Sequence, residues 1–318
     1  MESECAPTLS TAPWTRDVEF VFLMGCPRSG TTWLQALLGA QPGIHTAPET
    51  HFFHAYAGVD RCFRVSMERN VGPAAYHRPD SFYALMGDLF RHTLSQLPEP
   101  PTGTRYFLDK TPHYTLCGDF ILRVFPRARF IHAIRDARTV VTSLLRAAEG
   151  WGRTWAPRNL DEACAYWERH VRSGRPVREL VKEPRFYQEV RYESLRADPA
   201  GELARLVRAL DLEPDEAALA RAVAANDMAE SRARGLSGIA PAPRDLEQTG
   251  APAYPPGFFG PGTAGGTRHL PSWVRRRIDH LAGPLLRELG YGDVEKPLSW
   301  WARALTCPLV RRFTPDSA

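Results

Sequence analysis

Gly25-Cys26-Pro27-Arg28-Ser29-Gly30-Thr31-Thr32 gathers glycines, hydroxyls and one fixed cation into a short run, a composition suited to holding an anion. In such a turn successive backbone N–H groups converge, and the positive end of a following helix adds to them. The glycines let the backbone approach the anion closely. A second basic point, Arg135, is followed eight residues later by Ser143. An arginine at a strand end and a hydroxyl about two turns into the next helix can converge on another anion, with the guanidinium fork taking two oxygens. Taken alone, Arg135 is equally satisfied by an ion pair with Asp136 or Glu149, and Ser143 by its own backbone.

These residues need elements that bring them to one edge. Val18 to Met24 (VEFVFLM) is an apolar run of β-branched and aromatic residues that stops at the glycine loop, as a buried parallel strand does before a turn. Thr31 to Ala40 reads as the helix that follows. Tyr106–Leu108, Phe130–Ile134 and Phe186–Tyr192 read as further strands. Helical periodicity marks 116–125, Thr139–Ala148, Asp161–Val181, Ala200–Leu210, Glu216–Ala225 and Pro271–Leu289. Strands alternating with helices predict an α/β fold with a P-loop-type parallel sheet flanked by helices on both faces. Arg135 then lies at the carboxyl edge, where such sheets bind ligands.

The chain of 318 residues, 43% hydrophobic, is long enough for one full core. We expect a single domain over 18–295, with a flexible N-terminus at 1–17 and a tail at 296–318. Between Ser231 and His269 lie 6 prolines and 8 glycines without periodicity, far beyond the usual connection of about 4–6 residues. This long Gly/Pro-rich segment reads either as a lid over a ligand or as a mobile loop. Forty basic residues against 36 acidic ones leave a formal charge of +4, which suits an anionic ligand better than a nucleic acid. Lysine occurs only at Lys110, Lys182 and Lys296, so a lysine beside a motif is notable. The six cysteines show no metal-ligand spacing, and no metal is expected. The N-terminus is acidic where a secretory leader is basic, and the apolar run at Val18 is too short to span a bilayer. A cytoplasmic protein without membrane contact is the expectation.

The first loop departs from the nucleotide-binding GxxxxGK[ST] pattern in one informative place: Thr31 stands where that pattern has lysine, and Arg28 supplies the positive charge within the loop. A kinase or NTPase needs that lysine and a magnesium site to neutralise its polyphosphate, which weighs against this alternative.

PRSGTTWL, Pro27 to Leu34, resembles the 5′-phosphosulfate loop of sulfotransferases that use phosphoadenosine phosphosulfate (PAPS). Phe130 to Leu145 (FIHAIRDARTVVTSLL) is similar to the 3′-phosphate motif of the same family, in which an arginine and a serine eight residues apart grip the second phosphate. Val190 to Pro199 (VRYESLRADP) looks like that family's strand-end segment, whose tyrosine lies near the adenine. The resemblance covers roughly Val18 to Leu210. It implies a P-loop-type fold, PAPS as co-substrate without a metal, and transfer of a sulfuryl group to a hydroxyl. It assigns Pro27, Arg28, Ser29, Gly30, Thr31 and Thr32 to one phosphate and Arg135 with Ser143 to the other. Tyr192 and Trp33 fall near the base, where an aromatic face can stack; core burial is the rival reading for both. Arg268, in Gly265-Gly266-Thr267-Arg268, resembles a residue of the family's glycine-rich 3′-phosphate loop.

Sulfuryl transfer needs a base, a cation for the leaving phosphate and anchors. Glu49 matches the place of the catalytic glutamate in tyrosylprotein and carbohydrate sulfotransferases, and Arg28 sits among the reacting oxygens. A carboxylate takes a hydroxyl proton where partial burial raises its pKa and the acceptor is held within hydrogen-bond reach, two conditions the sequence does not show. Helix capping or an arginine partner is the rival reading. His113, in Asp109-Lys110-Thr111-Pro112-His113, is the second candidate, displaced one place from the Lys-Thr-His run of aryl and steroid sulfotransferases; His51 and His54 also titrate near neutrality. Lys110 resembles the lysine that stabilises the departing nucleotide, against a bland pairing with Asp109. The expected acceptor is a small molecule or a glycan. A tyrosylprotein-type acceptor is the alternative, set back because the animal tyrosine enzymes carry a membrane anchor not seen here.

Overall fold

The computed structural model describes residues 11–227, 239, 258 and 270–292. Strand β1 (Glu19–Gly25) lies at the centre of one parallel sheet, between β3 (Tyr106–Lys110) and β4 (Arg129–Ile134). The edges are β2 (Ile44–Thr46) and β5 (Tyr187–Arg191), giving the order β2-β3-β1-β4-β5. Period-two alternation in β1 sends Phe20, Phe22 and Met24 to one face and Val21 and Leu23 to the other, all of them buried.

Both faces carry helices. Phe52–Arg69, Pro79–Leu94 and Gly118–Val124 cover the first with Phe53, Phe63, Phe90 and Phe120. Phe22 meets Phe53 and Tyr114 edge to face on this side; truncating such a ring to alanine costs about 3–5 kcal/mol. Thr31–Gly39, Pro199–Ala209 and Glu216–Ala225 cover the second face. A third cluster packs Ala137–Glu149 against Leu160–Gly174 and Ser272–Leu281, next to Cys26 and Ile134. After β1 the chain fills one side of the sheet with β2 and β3, then the other with β4 and β5. That reversal opens a crevice at the carboxyl end of β1, where the glycine loop lies.

The expected strands and helices are present, with three departures of physical interest. Strand β2 is too short to show a period, and its residues join the edge only through β3. The helical run Asp161–Val181 ends at Gly174 and resumes as a turn at Val177–Leu180, after Pro176. The run Pro271–Leu289 divides at Ala282, because Gly283 and Pro284 start a new helix, Gly283–Glu288. The expected boundary at residue 18 falls too late. Trp14, in the helix Trp14–Asp17, is buried against Phe107 with ring centroids 6.0 Å apart, which ties this stretch to the sheet. Arg268 and the tail lie outside the described residues, as does the 231–269 segment apart from Ile239 and Phe258.

Candidate active site

The glycine loop turns through two left-handed positions, Arg28 (φ 76°) and Gly30 (φ 87°). Gly30 also lies against the Tyr192 ring, where a Cβ would stand 2.4 Å from Cδ2. Helix Thr31–Gly39 begins at once, with no side chain capping it, so its first N–H groups are free for an anion. The Ser29 hydroxyl is buried and has no hydrogen-bond partner among the described residues. A buried orphan hydroxyl beside open helix N–H groups is what a phosphate oxygen would satisfy.

Arg28, Ser143 and Arg135 meet in this crevice. Arg28 donates through Nε to Ser143 Oγ at 2.9 Å and through Nη2 to the Phe258 carbonyl at 2.5 Å. Arg135 Nη1 donates to the Arg28 carbonyl at 3.1 Å, and its guanidinium lies 3.7 Å from the Tyr192 ring centroid. Among the described residues neither arginine forms an ion pair with a carboxylate. Asp136, the rival partner for Arg135, instead caps helix Ala137–Glu149 and pairs with Arg138 at 3.2 Å. Burial, and then the charge of Arg135, lower the Arg28 pKa to about 10; burial lowers that of Arg135 as well. Two buried cations side by side leave a positive field that an anion would offset.

Trp33 and Tyr192 are core residues in this structure, 6% and 5% exposed. Their rings meet nearly edge to face at 5.9 Å, and Trp33 Nε1 donates to the Asn226 carbonyl at 2.9 Å. Tyr192 thus props up both Gly30 and Arg135, and the Arg196 guanidinium lies 5.4 Å from the Trp33 ring centroid. Trp151 and Phe258, which the sequence did not single out, flank the Arg28 guanidinium at 5.3 and 5.1 Å.

Glu49 and Lys110 occupy the adjoining side of the loop. Lys110 ends β3, is almost wholly buried, and donates to Thr32 Oγ1 at 3.2 Å and to Glu49 Oε1. Its partner is Glu49, not Asp109. His51 Nε2 lies 3.0 Å from the second Glu49 oxygen. Burial alone raises the Glu49 pKa, but Lys110 and His51 overcome it and bring the carboxyl down to about 2. The upward tuning that burial could give a base is outweighed here, because the cation expected to act beside Glu49 is bonded to it. A clamp that sequence reasoning missed holds Glu49 in place. Asp109 Oδ2 accepts from Thr50 Oγ1 at 2.6 Å and from Tyr114 at 2.7 Å, and Thr50 Oγ1 caps the Phe52 N–H at 3.2 Å. Burial pushes Asp109 up to about 6 against those bonds. His113, the second candidate base, donates to or accepts from the Tyr166 hydroxyl at 2.9 Å. Burial, then His54 and His51, lower its pKa to about 4, so it is neutral at pH 7.

A central parallel strand ending in a glycine loop, with a buried arginine just after the neighbouring strand, defines an α/β protein of P-loop-like fold. Residues 21–216 match the model of the Sulfotransferase family, and the chain belongs to that family. It is 26% identical over 200 residues to a putative protein-tyrosine sulfotransferase of Caenorhabditis briggsae, a match covering 61% of this chain and 66% of that protein. It is 27% identical over 136 residues to human protein-tyrosine sulfotransferase 1, covering 42% of this chain and 36% of the relative. The chain thus spans about one third to two thirds of the length of these curated relatives. Among solved structures, mouse sulfotransferase SULT7A1 complexed with PAP superimposes with a TM-score of 0.54 at 14% identity, covering 91% of this chain and 88% of that one; the likeness is one of fold. Among the described residues no helix is long and apolar enough to cross a membrane.

Proposed function

We propose that this chain is a PAPS-dependent sulfotransferase acting on a hydroxyl of a small molecule or glycan. The observation that carries the reading is the meeting of Arg28, Ser143 and Arg135 at the open end of helix Thr31–Gly39, with Lys110 and Glu49 against Thr32. Pro27, Arg28, Ser29, Gly30, Thr31 and Thr32 would hold the 5′-phosphosulfate, and Arg135 with Ser143 the 3′-phosphate; the fold likeness to a PAP complex supports that division. When bound, PAPS supplies the sulfuryl group and a phosphate able to depart with its negative charge.

Glu49 Oε2 would receive the acceptor's hydroxyl proton, and Lys110 Nζ, beside Thr32, would stabilise the departing phosphate. The two roles are coupled: Lys110 leaves Glu49 as charge grows on the phosphate, and burial then raises the carboxyl toward the range of an effective base. Arg28 and the helix N–H groups stabilise the same charge.

A peptide tyrosine is the second reading, supported by the names of the protein-tyrosine sulfotransferases that the chain matches. Incubating the full chain with ³⁵S-labelled PAPS and separate pools of phenols, sugars and tyrosine peptides discriminates the two. Label should pass to one pool, and Glu49→Gln should abolish the transfer. Labelled product in none of the pools, together with unchanged melting in the presence of PAP, would overturn the assignment.

A further inference from the structure

His51, His54 and His113 each offer a ring nitrogen such that the three nitrogens lie within 4.8 Å of one another. Two come from the start of helix Phe52–Arg69, where His51 precedes the first turn in a left-handed conformation and His54 follows three residues on. The third comes from the turn Pro112–Leu116 after β3. The His54 and His113 rings are 4.6 Å apart between centroids, and those of His51 and His113 are 6.2 Å apart.

The hydrogen bonding around these rings divides their nitrogens into held and free. His113 Nε2 is engaged by the Tyr166 hydroxyl at 2.9 Å, whereas its Nδ1 is buried with no hydrogen-bond partner among the described residues. His51 Nε2 faces the Glu49 carboxylate at 3.0 Å, leaving Nδ1 as its other donor. A ring whose one nitrogen is held by a carboxylate or hydroxyl while the other is open is the usual state of a metal-binding imidazole. His51 and His54 are exposed, so an ion can enter from solvent.

We propose that His51, His54 and His113 form a binding site for a divalent transition ion of the Zn²⁺ class, with solvent completing its coordination. Three imidazoles and an open position suit Zn²⁺ or Co²⁺ and not the oxygen-seeking Mg²⁺ or Ca²⁺. A tetrahedral site with bonds of about 2.0–2.1 Å sets nitrogens about 3.3 Å apart. The exposed His51 and His54 side chains close the remaining gap by rotation. The Glu49 carboxylate, held on His51, offsets part of the ion's charge. An ion held there stands next to Glu49, on a part of the chain distinct from the two anion cradles.

The test uses the full chain stripped with chelator, with Zn²⁺ alone as probe in calorimetry and Co²⁺ alone in visible absorption. One Zn²⁺ per chain should bind, and Co²⁺ should give the intense band of a four-coordinate nitrogen site. His54→Gln and His113→Gln should each weaken binding more than about 10-fold, a loss at least as large as that for an outer-shell partner. His77→Gln, another exposed histidine, and Cys62→Ser, an exposed thiol, should bind as the parent does. His54 is exposed, so its variant decides the matter even if His113→Gln folds poorly. Parental affinity in His54→Gln, loss of binding in Cys62→Ser, or no saturable site in the parent would each overturn the proposal. None of these readouts depends on sulfuryl transfer.

Discussion

Lys110 donates to Glu49 and, at 3.2 Å, to the Thr32 hydroxyl of the glycine loop, so the residue proposed to meet the leaving phosphate also holds the proposed base. Lys110→Met should expose both roles. Losing a preorganised cation at a developing charge lowers kcat about 10²–10³-fold. Removing it also leaves burial as the main influence on Glu49, so the acidic limb of the pH–rate profile should move up from its position near 2. A lysine that merely paired with Glu49 would move that limb and leave the plateau of kcat unchanged, so the complete profile separates the two cases.

Ser143, Arg28 and Arg135 should separate in nucleotide protection. Ser143→Ala removes a hydroxyl bonded to Arg28 and should weaken PAP binding about 10-fold, near 1.4 kcal/mol. Arg135→Met should weaken it at least about 100-fold, since a bond to a charged group and its field are both lost. The same substitution relieves two buried like charges, so the ligand-free protein should melt no lower than the parent. Melting with and without PAP reads both effects. A large drop in ligand-free melting would mean that Arg135 is chiefly structural.

Of this site, the sequence carried the parts whose chemistry is local. VEFVFLM before a glycine loop could only be a buried strand feeding a turn, and β1 and helix Thr31–Gly39 lie within a residue of that expectation. Arg135 and Ser143 were singled out through the resemblance of FIHAIRDARTVVTSLL to a 3′-phosphate motif, and a strand end followed by the next helix lets such a pair reach one edge. The Lys110–Glu49 pair was not readable. It depends on β2 laying residue 49 beside the end of β3, and three residues carry no period. The clamp from Asp109 to Thr50 and Tyr114 was hidden for the same reason, since all its partners are distant or polar in an ordinary way. Trp33 and Tyr192 suited a base-stacking role by residue type, but burial depends on packing against Asn226, Gly30 and Arg135, which no local pattern encodes.

Gly30→Ala should damage both fold and ligand binding. The residue sits at φ 87°, and its Cβ would stand 2.4 Å from a Tyr192 ring held under Arg135. A left-handed alanine and an overpacked contact together cost about 2–5 kcal/mol. Chemical denaturation should show that loss. Gly30→Ala introduced into a Tyr192→Ala background should cost less than it does in the parent, the difference being the packing part and the remainder the backbone strain.

Acid should unfold the protein through its buried histidines. Burial lowers His132 to about 3, with Arg175 and Arg178 adding to the effect. Burial, followed by His113 and Arg169, lowers His170 to about 2, and His113 itself stands at about 4. Each is neutral in the fold and takes up a proton near 6.5 when unfolded. Their contribution is therefore complete above pH 6.5 and declines as pH falls toward the folded values, by about 1.4 kcal/mol per pH unit for each proton. Asp109 works in the opposite sense. Its folded pKa of about 6 exceeds the unfolded value of 3.8, so its contribution is full below pH 3.8 and is lost as pH rises through 6. Three histidines against one carboxyl leave a net loss of stability on acidification between pH 6 and 4. His132→Gln, which keeps a polar partner for Tyr187 (2.7 Å from His132 Nδ1 in the parent), removes one of those protons. Unfolding free energies measured at half-unit steps should therefore show a slope shallower by about 1.4 kcal/mol per pH unit; a slope equal to the parent's would mean that His132 is charged in the fold.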